Sequence, residues 1–155
     1  MLSLEIAMIV VSICLIWSLY KCKNIEARYK KLIIHNNKIT RYYHIFNHWL
    51  KLKQQDISCR DYFIENEYHK IAIYGFKELG ERLYDELKES EIEVCYIIDK
   101  NKDNIWAEID VYDMEQELPE VDAIVVTPTW FFEEIEKELE VRTKCAIVSL
   151  EDVVL

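Results

Sequence analysis

The hydrophobic positions of the chain follow three patterns in succession. Residues 2–20 are almost continuously apolar, residues 25–50 carry apolar side chains at alternating steps of four and three, and residues 70–155 alternate short apolar runs with amphipathic stretches. These patterns predict, in chain order, a transmembrane helix, a long helical stalk and an α/β domain. The predicted boundaries of the three parts are 1–20, 21–67 and 68–155.

The third part predicts a parallel sheet. Its apolar runs favour strands at residues 70–75, 92–99, 122–128 and 145–150, with a short edge strand at 109–112. Between these runs, residues 77–90 and 131–140 place large apolar side chains at helical spacing. Because strands alternate with helices, we predict an α/β fold built on a small Rossmann-like parallel sheet of four or five strands. The expected strand order is 3-2-1-4-5, with Gly75 at the point where the order reverses.

The first part is long enough to cross a bilayer. Its 19 residues at about 1.5 Å each give roughly 28 Å, close to the ~30 Å of hydrocarbon in a membrane. No basic residue precedes the apolar run, and Lys21 and Lys23 follow it, which favours an uncleaved anchor over a signal peptide. The positive charge after the run favours a cytoplasmic location for the C-terminal domain. We expect a single-pass protein of the cell membrane; a buried helix of a soluble protein is the alternative.

The second part carries a heptad seam. Its members are Ile25, Tyr29, Leu32, Asn36, Ile39, Tyr43, Phe46 and Leu50. Such a seam is typical of a coiled coil, and the polar Asn36 at an a position favours a two-stranded register. The seam therefore predicts a homodimer through residues 25–50. Ile33, Tyr42 and Trp49 lie off the seam, however, so the alternative is that the second half of this helix packs against the folded domain.

The net charge of −10 is unevenly distributed. Residues 21–69 contain ten Lys or Arg against five Asp or Glu, whereas residues 70–155 contain nine against twenty-three. Since affinity for nucleic acid comes mainly from Lys and Arg on phosphates, we expect no nucleic-acid partner. His44 and His48 are four residues apart on the stalk, but no further ligand follows at metal-binding spacing, so we expect no metal site.

The stretch IAIYGFKELGERL, residues 71–83, has the layout of a dinucleotide-binding turn. In the G-x-G-x-x-G fingerprint the first glycine makes the tight turn, the third lets the helix pack closely on the strand, and the middle one lets a pyrophosphate approach the backbone. Gly75 and Gly80 keep the outer positions, but Lys77 stands at the middle one. Its side chain either crowds the path of the phosphate or holds a phosphate as a point charge at the helix N-terminus.

Two further residues are candidate ligands at the carboxyl ends of strands. Asp99 follows Gly75 by 24 residues, near the spacing expected for an acid that binds a ribose. The alternative is that Asp99 caps the turn after its strand. Thr127 ends a later strand, at the edge where open α/β sheets bind ligands. The candidate cofactor-binding residues are therefore Gly75, Lys77, Gly80, Asp99 and Thr127.

Four segments carry a resemblance to a known group of proteins. IAIYGFKELGERLYDEL, YIIDKN, VDAIVVTPTWFFEEIEKEL and IVSLEDVV resemble the Rossmann-like, NAD(P)-binding-like module that precedes the catalytic part of membrane-anchored bacterial nucleotide-sugar epimerases and dehydratases of polysaccharide biosynthesis. The resemblance covers residues 68–155. It implies that the glycine turn faces NAD(P) or a nucleotide-sugar, that Asp99 faces the ribose, and that an enzyme of polysaccharide synthesis is a partner.

The sequence offers little support for catalysis. Tyr84 and Lys88 have the Y-x-x-x-K spacing of short-chain dehydrogenases, but they lie on the helix directly after the glycine turn, where chance explains the spacing better. We therefore expect a non-catalytic accessory or regulatory module of polysaccharide or glycoconjugate biosynthesis that binds a partner protein. A nucleotide or nucleotide-sugar sensor is the first alternative, and an enzyme completed by a partner chain is the second.

Overall fold

The computed structural model describes the backbone of residues 2–155 and the side chains of residues 6, 8 and 13–155. The chain forms two compact units, residues 1–42 and 43–155. Helix α1, Leu2–Gln54, contributes residues to both units. The boundary between the units therefore falls inside the predicted stalk.

The first unit is the N-terminal part of α1. Its large apolar side chains, as far as they are described, are exposed; Trp17 is 60% and Leu32 is 62% exposed. The predicted membrane span at residues 2–20 lies partly outside the described side chains. Within the described residues, no helix combines the length and the hydropathy that crossing a membrane requires.

The second unit is an α/β domain around a five-stranded parallel sheet. Its elements after α1 are α2 (Cys59–Glu65), β1 (Lys70–Tyr74), α3 (Glu78–Leu87), β2 (Glu93–Ile98), β3 (Val111–Tyr112), β4 (Ala123–Val126), α4 (Phe132–Glu140), β5 (Ala146–Ser149) and α5 (Leu150–Val154). The strands lie in the order β3-β2-β1-β4-β5, and each neighbouring pair is parallel. The α/β class and the strand order predicted from the apolar runs are confirmed.

The two faces of the sheet bury different sets of side chains. Ile71 and Ile73 of β1 belong to the core cluster that contains residues of α2, α3 and α5. Ala72 and Tyr74 alternate with them and belong to the cluster on the α4 side. Because successive side chains of a strand point to opposite faces, a continuous apolar strand needs a layer on each side of the sheet. This alternation places the side chain of Tyr74 under α4.

The C-terminal turns of α1 pack within the second unit. Ile45 is fully buried and Trp49 is 6% exposed, and both belong to the core cluster that contains residues of α3. The seam residues Tyr43 and Leu50 on the same turns are 64% and 58% exposed. The expectation that the second half of this helix packs against the domain is confirmed. Pairing of two chains through the seam stays a prediction.

Short helices complete the core. Helix α2 starts after Ser58, whose hydroxyl accepts the Arg60 N–H at 3.2 Å and whose own N–H donates to Asp61 at 3.3 Å. Helix α5 was not predicted, because a five-residue helix has too little periodicity to stand out. Its Val153 and Val154 are buried in the same core cluster as α2 and α3. Tertiary burial therefore stabilises α5.

Candidate functional site

The glycine turn joins β1 to α3 in close contact. Gly75 has φ +87°, a conformation that side chains rarely adopt, and a Cβ there would lie 2.8 Å from the Pro128 ring. A Cβ on Gly80 would overlap the carbonyl oxygen of Gly75. The first glycine thus makes the turn and the second permits the close packing of helix on strand, as predicted. These roles are structural and leave ligand binding open.

Asp99 holds the glycine turn from the neighbouring strand. Its Oδ2 accepts the backbone N–H of Phe76 at 3.0 Å, and its Oδ1 accepts the N–H of Asn101 at 2.8 Å. The alternative interpretation, that Asp99 caps the turn after its strand, is therefore confirmed, and the carboxylate also ties the end of β2 to the start of α3. Binding of a ribose by Asp99 stays a prediction. A pyrophosphate that approached this turn would meet an N–H that is already engaged and a negative charge beside it.

Lys77 and Phe76 point to different environments. Lys77 is exposed and is the N-cap of α3, but it makes no side-chain capping hydrogen bond. Phe76 is 8% exposed and packs edge-on against Tyr84, with 6.0 Å between ring centroids. The turn is therefore anchored by an aromatic side chain on the α3 side of the sheet. Whether Lys77 receives a phosphate stays a prediction.

Thr127 forms hydrogen bonds with the backbone of the glycine turn. Its side chain is buried, and its hydroxyl donates to the carbonyl oxygens of Gly75 at 2.7 Å and Tyr74 at 3.1 Å. Nearby in sequence, Thr129 has a buried hydroxyl without a hydrogen-bond partner in the described part of the chain. Thr127 therefore links the ends of β4 and β1, and its hydroxyl hydrogen is directed at the protein backbone.

A cavity of about 330 Å³ opens beside the turn, at the carboxyl ends of β1, β2 and β4. Its lining residues are Tyr74, Gly75, Asp99, Lys100, Pro128, Phe131, Glu134, Ile135 and Glu138. This is the crevice at which the strand order reverses, where open α/β sheets bind ligands. Of the predicted residues, Gly75 and Asp99 line the cavity, whereas Lys77, Gly80 and Thr127 do not.

The charges around the cavity are mostly negative. Asp99, Glu134 and Glu138 face one cation, Lys100, whose Nζ lies 3.5 Å from Glu138. Tyr74 is 5% exposed, and burial raises its pKa to about 12, with Glu138 and the other two carboxylates adding to the shift. The phenol is therefore protonated at neutral pH. The sequence argument missed Tyr74, Glu134 and Glu138, although the apolar alternation of β1 placed Tyr74 opposite Ile73.

A larger depression of about 850 Å³ lies at the other edge of the sheet, near Asp122 and Cys145. It adjoins the amino ends of the strands, and the Asp122 carboxylate already accepts the N–H groups of His69 and Lys70 at 2.8 and 2.7 Å. Ligands of open α/β sheets bind at the opposite, carboxyl ends. We therefore take the 330 Å³ cavity, called the switch-point cavity below, as the candidate site.

The Y-x-x-x-K pair, Tyr84 and Lys88, makes ordinary surface contacts. The Tyr84 hydroxyl lies 3.4 Å from Glu108, and Lys88 lies 3.1 Å from Asp85. These contacts are consistent with the interpretation that the Y-x-x-x-K spacing of Tyr84 and Lys88 arose by chance. Among the side chains that the structure describes, no group of three or more His, Cys, Asp or Glu is placed to hold a metal ion.

The parallel five-stranded sheet, with a glycine turn and a cavity where its order reverses, defines an α/β domain consistent with a Rossmann-like fold. The family model described as C2185-like, N-terminal, matches residues 67–145, half of the chain. The chain therefore belongs to the C2185-like, N-terminal family. The matched range includes all the residues that line the switch-point cavity. No curated protein matches the chain significantly, and no solved structure does.

Proposed function

We propose that this chain is a non-catalytic accessory module of polysaccharide or glycoconjugate biosynthesis, anchored in the cell membrane by residues 2–20, with its α/β domain in the cytoplasm. It acts by binding a partner protein, an enzyme of the pathway. The biosynthetic setting follows from the resemblance of residues 68–155 to the module that precedes nucleotide-sugar epimerases and dehydratases. The anchor follows from the length of the apolar run and the basic residues after it.

The observation that carries the non-catalytic assignment is the contact between Asp99 and Phe76. In a dinucleotide site the backbone of the glycine turn is open to the pyrophosphate. Here the Asp99 carboxylate accepts the Phe76 N–H at 3.0 Å and places a negative charge at the turn. The features of a nucleotide fold are thus used for contacts within the protein, which supports a scaffolding role.

Two features of the first unit support the anchor. The described side chains of residues 13–20 are all exposed, among them Ile16 at 68% and Leu19 at 64%. A bilayer would cover this apolar surface, which water covers only at a cost in free energy. Lys21 Nζ lies 4.2 Å from the ring of Trp17. Tryptophan and lysine are frequent at membrane–water interfaces, where this pair would lie at the cytoplasmic end of the span.

The second candidate function is a sensor that binds a small ligand. The switch-point cavity favours it, because the cavity lies where α/β sheets bind ligands and has room for a small molecule. A sensor and an accessory module are compatible, since ligand binding would then regulate the partner enzyme.

The proposal is tested by an activity assay on the full-length protein purified in mild detergent. The protein is incubated with UDP-sugars in the presence and absence of NAD, and the products are separated by chromatography. We expect no conversion. Turnover that co-purifies with the protein, and that is absent from a mock preparation of cells lacking it, would contradict the proposal.

A further inference from the structure

The switch-point cavity combines a buried floor with a charged rim. Tyr74 forms part of the floor at 5% exposure, and among the described residues its hydroxyl has no hydrogen-bond partner. Glu134 and Glu138 line the cavity from exposed positions one turn apart on α4. Tyr74 and the carboxylates of Asp99, Glu134 and Glu138 therefore line the same cavity.

The net negative charge around the switch-point cavity disfavours the binding of an anion. Three carboxylates face a single ammonium group, that of Lys100. Each like charge that a phosphate meets in a partly buried site raises its free energy. The backbone N–H of Phe76, a donor that a phosphate would use, is already bound by Asp99. A nucleotide would therefore have to overcome both repulsion and the loss of a donor.

The same charge favours a cation larger than a metal ion. Within the described residues the carboxylates do not converge into a set of three that could hold a metal. They are spread around a cavity of about 330 Å³, a volume suited to an organic group. Phe131 and Tyr74 both line the cavity, and aromatic rings attract ammonium and guanidinium groups. The Lys100 ammonium lies 3.5 Å from Glu138 and neutralises part of this charge, which leaves two negative charges in excess around the cavity.

We propose that the switch-point cavity binds an ammonium or guanidinium group, with the Glu134, Glu138 and Asp99 carboxylates as its counter-charges and the Tyr74 hydroxyl as a hydrogen-bond acceptor on the floor. This inference rests on the proposed binding role of the module and names its ligand class. The group is carried either by a small amine or by a basic side chain of the partner protein. The chemistry of recognition is the same in both cases.

The test is isothermal titration of the full-length protein in detergent with four probes. Agmatine represents a free small cation, and an N-acetylated glycyl-arginyl-glycine amide represents a side chain of a partner. NAD and UDP-glucose represent the anionic ligands of a nucleotide site. We expect at least one cationic probe to bind saturably at concentrations below about 10 mM, and neither anion to bind. Stronger binding of the peptide than of agmatine would assign the group to a protein partner, and the reverse would assign it to a small amine.

Matched variants locate the binding. Glu134→Gln removes a carboxylate from the rim, while Glu133→Gln makes the same change at the preceding position of α4, outside the lining. We expect Glu134→Gln to weaken cation binding about threefold to fivefold and Glu133→Gln to leave it within about 1.5-fold. Tyr74→Phe removes only a hydroxyl and should weaken binding roughly two- to tenfold. Circular dichroism of each variant establishes that it is folded.

Three results would overturn the inference. The first is that neither cationic probe binds the wild-type protein. The second is that Glu133→Gln and Glu134→Gln weaken binding equally, which would indicate general attraction to an acidic surface. The third is that NAD or UDP-glucose binds in an Asp99-dependent manner, which would support a nucleotide sensor instead. None of these results bears on turnover, so failure of this inference is distinguishable from failure of the proposed function.

Discussion

The indole N–H of Trp49 donates a hydrogen bond of 2.6 Å to Oε2 of Glu86. The other oxygen of this carboxylate accepts hydrogen bonds from the Ser58 hydroxyl and the Cys59 N–H, both at 2.8 Å, and lies 2.7 Å from Lys53 Nζ. The Glu86 side chain is only 5% exposed. One carboxylate on α3 thus joins the end of α1 to the start of α2.

Replacement of Glu86 by glutamine should destabilise the second unit. The amide keeps the shape but loses the charge, and hydrogen bonds to charged groups contribute roughly 1.5–3 kcal/mol each. We expect the free energy of unfolding to fall by about 2 kcal/mol in urea titrations of the full chain. The control is Asp85→Asn, which removes the neighbouring carboxylate from exposed ion pairs and should cost less than about 1 kcal/mol. Equal effects of the two substitutions would contradict a special role for Glu86.

The contribution of Glu86 should depend on pH. Burial by itself raises the pKa of Glu86, but hydrogen bonds from Lys53, Trp49, Cys59 and Ser58 outweigh burial and hold the pKa below its ordinary value of 4.5. A carboxyl group whose pKa is lowered by folding stabilises the folded state above its unfolded pKa, and this stability is lost as the pH falls through the folded pKa. The difference in unfolding free energy between wild type and Glu86→Gln should therefore be constant from pH 7 to about 5 and shrink below about 4.5.

If the difference in unfolding free energy between wild type and Glu86→Gln grew as the pH fell below 4.5, folding could not lower the pKa of Glu86. Other carboxyl groups with lowered pKa values, those of Asp113 and Asp122, are present in both proteins. Their contributions cancel in the comparison. The measurement is a series of urea titrations at fixed ionic strength.

Gly80→Ala should destabilise the protein although alanine is the better helix former. In an exposed helix interior this exchange stabilises by about 1 kcal/mol. At Gly80 the added Cβ would overlap the Gly75 carbonyl oxygen, so α3 must move away from β1. We expect a net loss of roughly 1–3 kcal/mol, typical of overpacking. Glu81→Ala, at the next and exposed position, should change the stability by less than about 0.5 kcal/mol. A more stable Gly80→Ala variant would show that the contact is relieved at no cost.

Asp99→Ala should lower stability whether or not a ligand binds. The substitution leaves the N–H groups of Phe76 and Asn101 without their carboxylate partner. We expect a loss of about 2 kcal/mol in the free energy of unfolding, measured by urea titration in the absence of ligand. Asp103→Ala, at an exposed position in the following 3-10 turn, serves as the control and should have little effect. If the two variants unfold at the same urea concentration, the turn does not depend on Asp99.

The heptad seam predicts a dimer that a single charge disrupts. Leu32 lies on the seam and is 62% exposed in one chain, whereas Ile33 lies off the seam and is 42% exposed. A carboxylate at position 32 would be buried between two helices, at a cost of several kcal/mol. We expect the wild type and Ile33→Asp to sediment as dimers in detergent, and Leu32→Asp to sediment as a monomer. A monomeric wild-type protein would refute pairing through the stalk.

The strands and helices were predictable because they depend on patterns that persist over many residues, and the strand order was expected from the doubly wound arrangement common to such alternating chains. Each apolar run of four or more residues predicts a buried strand, and the helices between the runs require parallel crossovers. Gly75 and Gly80 were interpretable because glycine readily adopts the positive φ of the first and lacks the Cβ that would prevent the close contact of the second. Residue types and their spacing along the chain were therefore enough to predict these features.

The cavity could not be predicted from the sequence, because it is formed by contacts between segments that lie far apart in the chain. Glu134 and Glu138 are indistinguishable in sequence from the other acids of α4, and only the packing of α4 against the sheet places them at the cavity. The same holds for Glu86, whose partners lie 27 to 37 residues away along the chain. A sequence pattern reports the face on which a residue lies, but a pairwise contact requires the positions of both partners.

The sequence alone thus determined the α/β class and the glycine turn, because these follow from periodicity and from the conformational freedom of glycine. The strand order was expected from the doubly wound arrangement that is common for such chains. The tertiary structure decided which polar groups are satisfied within the protein and which remain open. It assigned the Asp99 carboxylate to the turn, the Thr127 hydroxyl to the backbone and the Tyr74 hydroxyl to a cavity. Hydrogen bonds act over about 3 Å, and folding alone brings residues from distant parts of the chain to that distance.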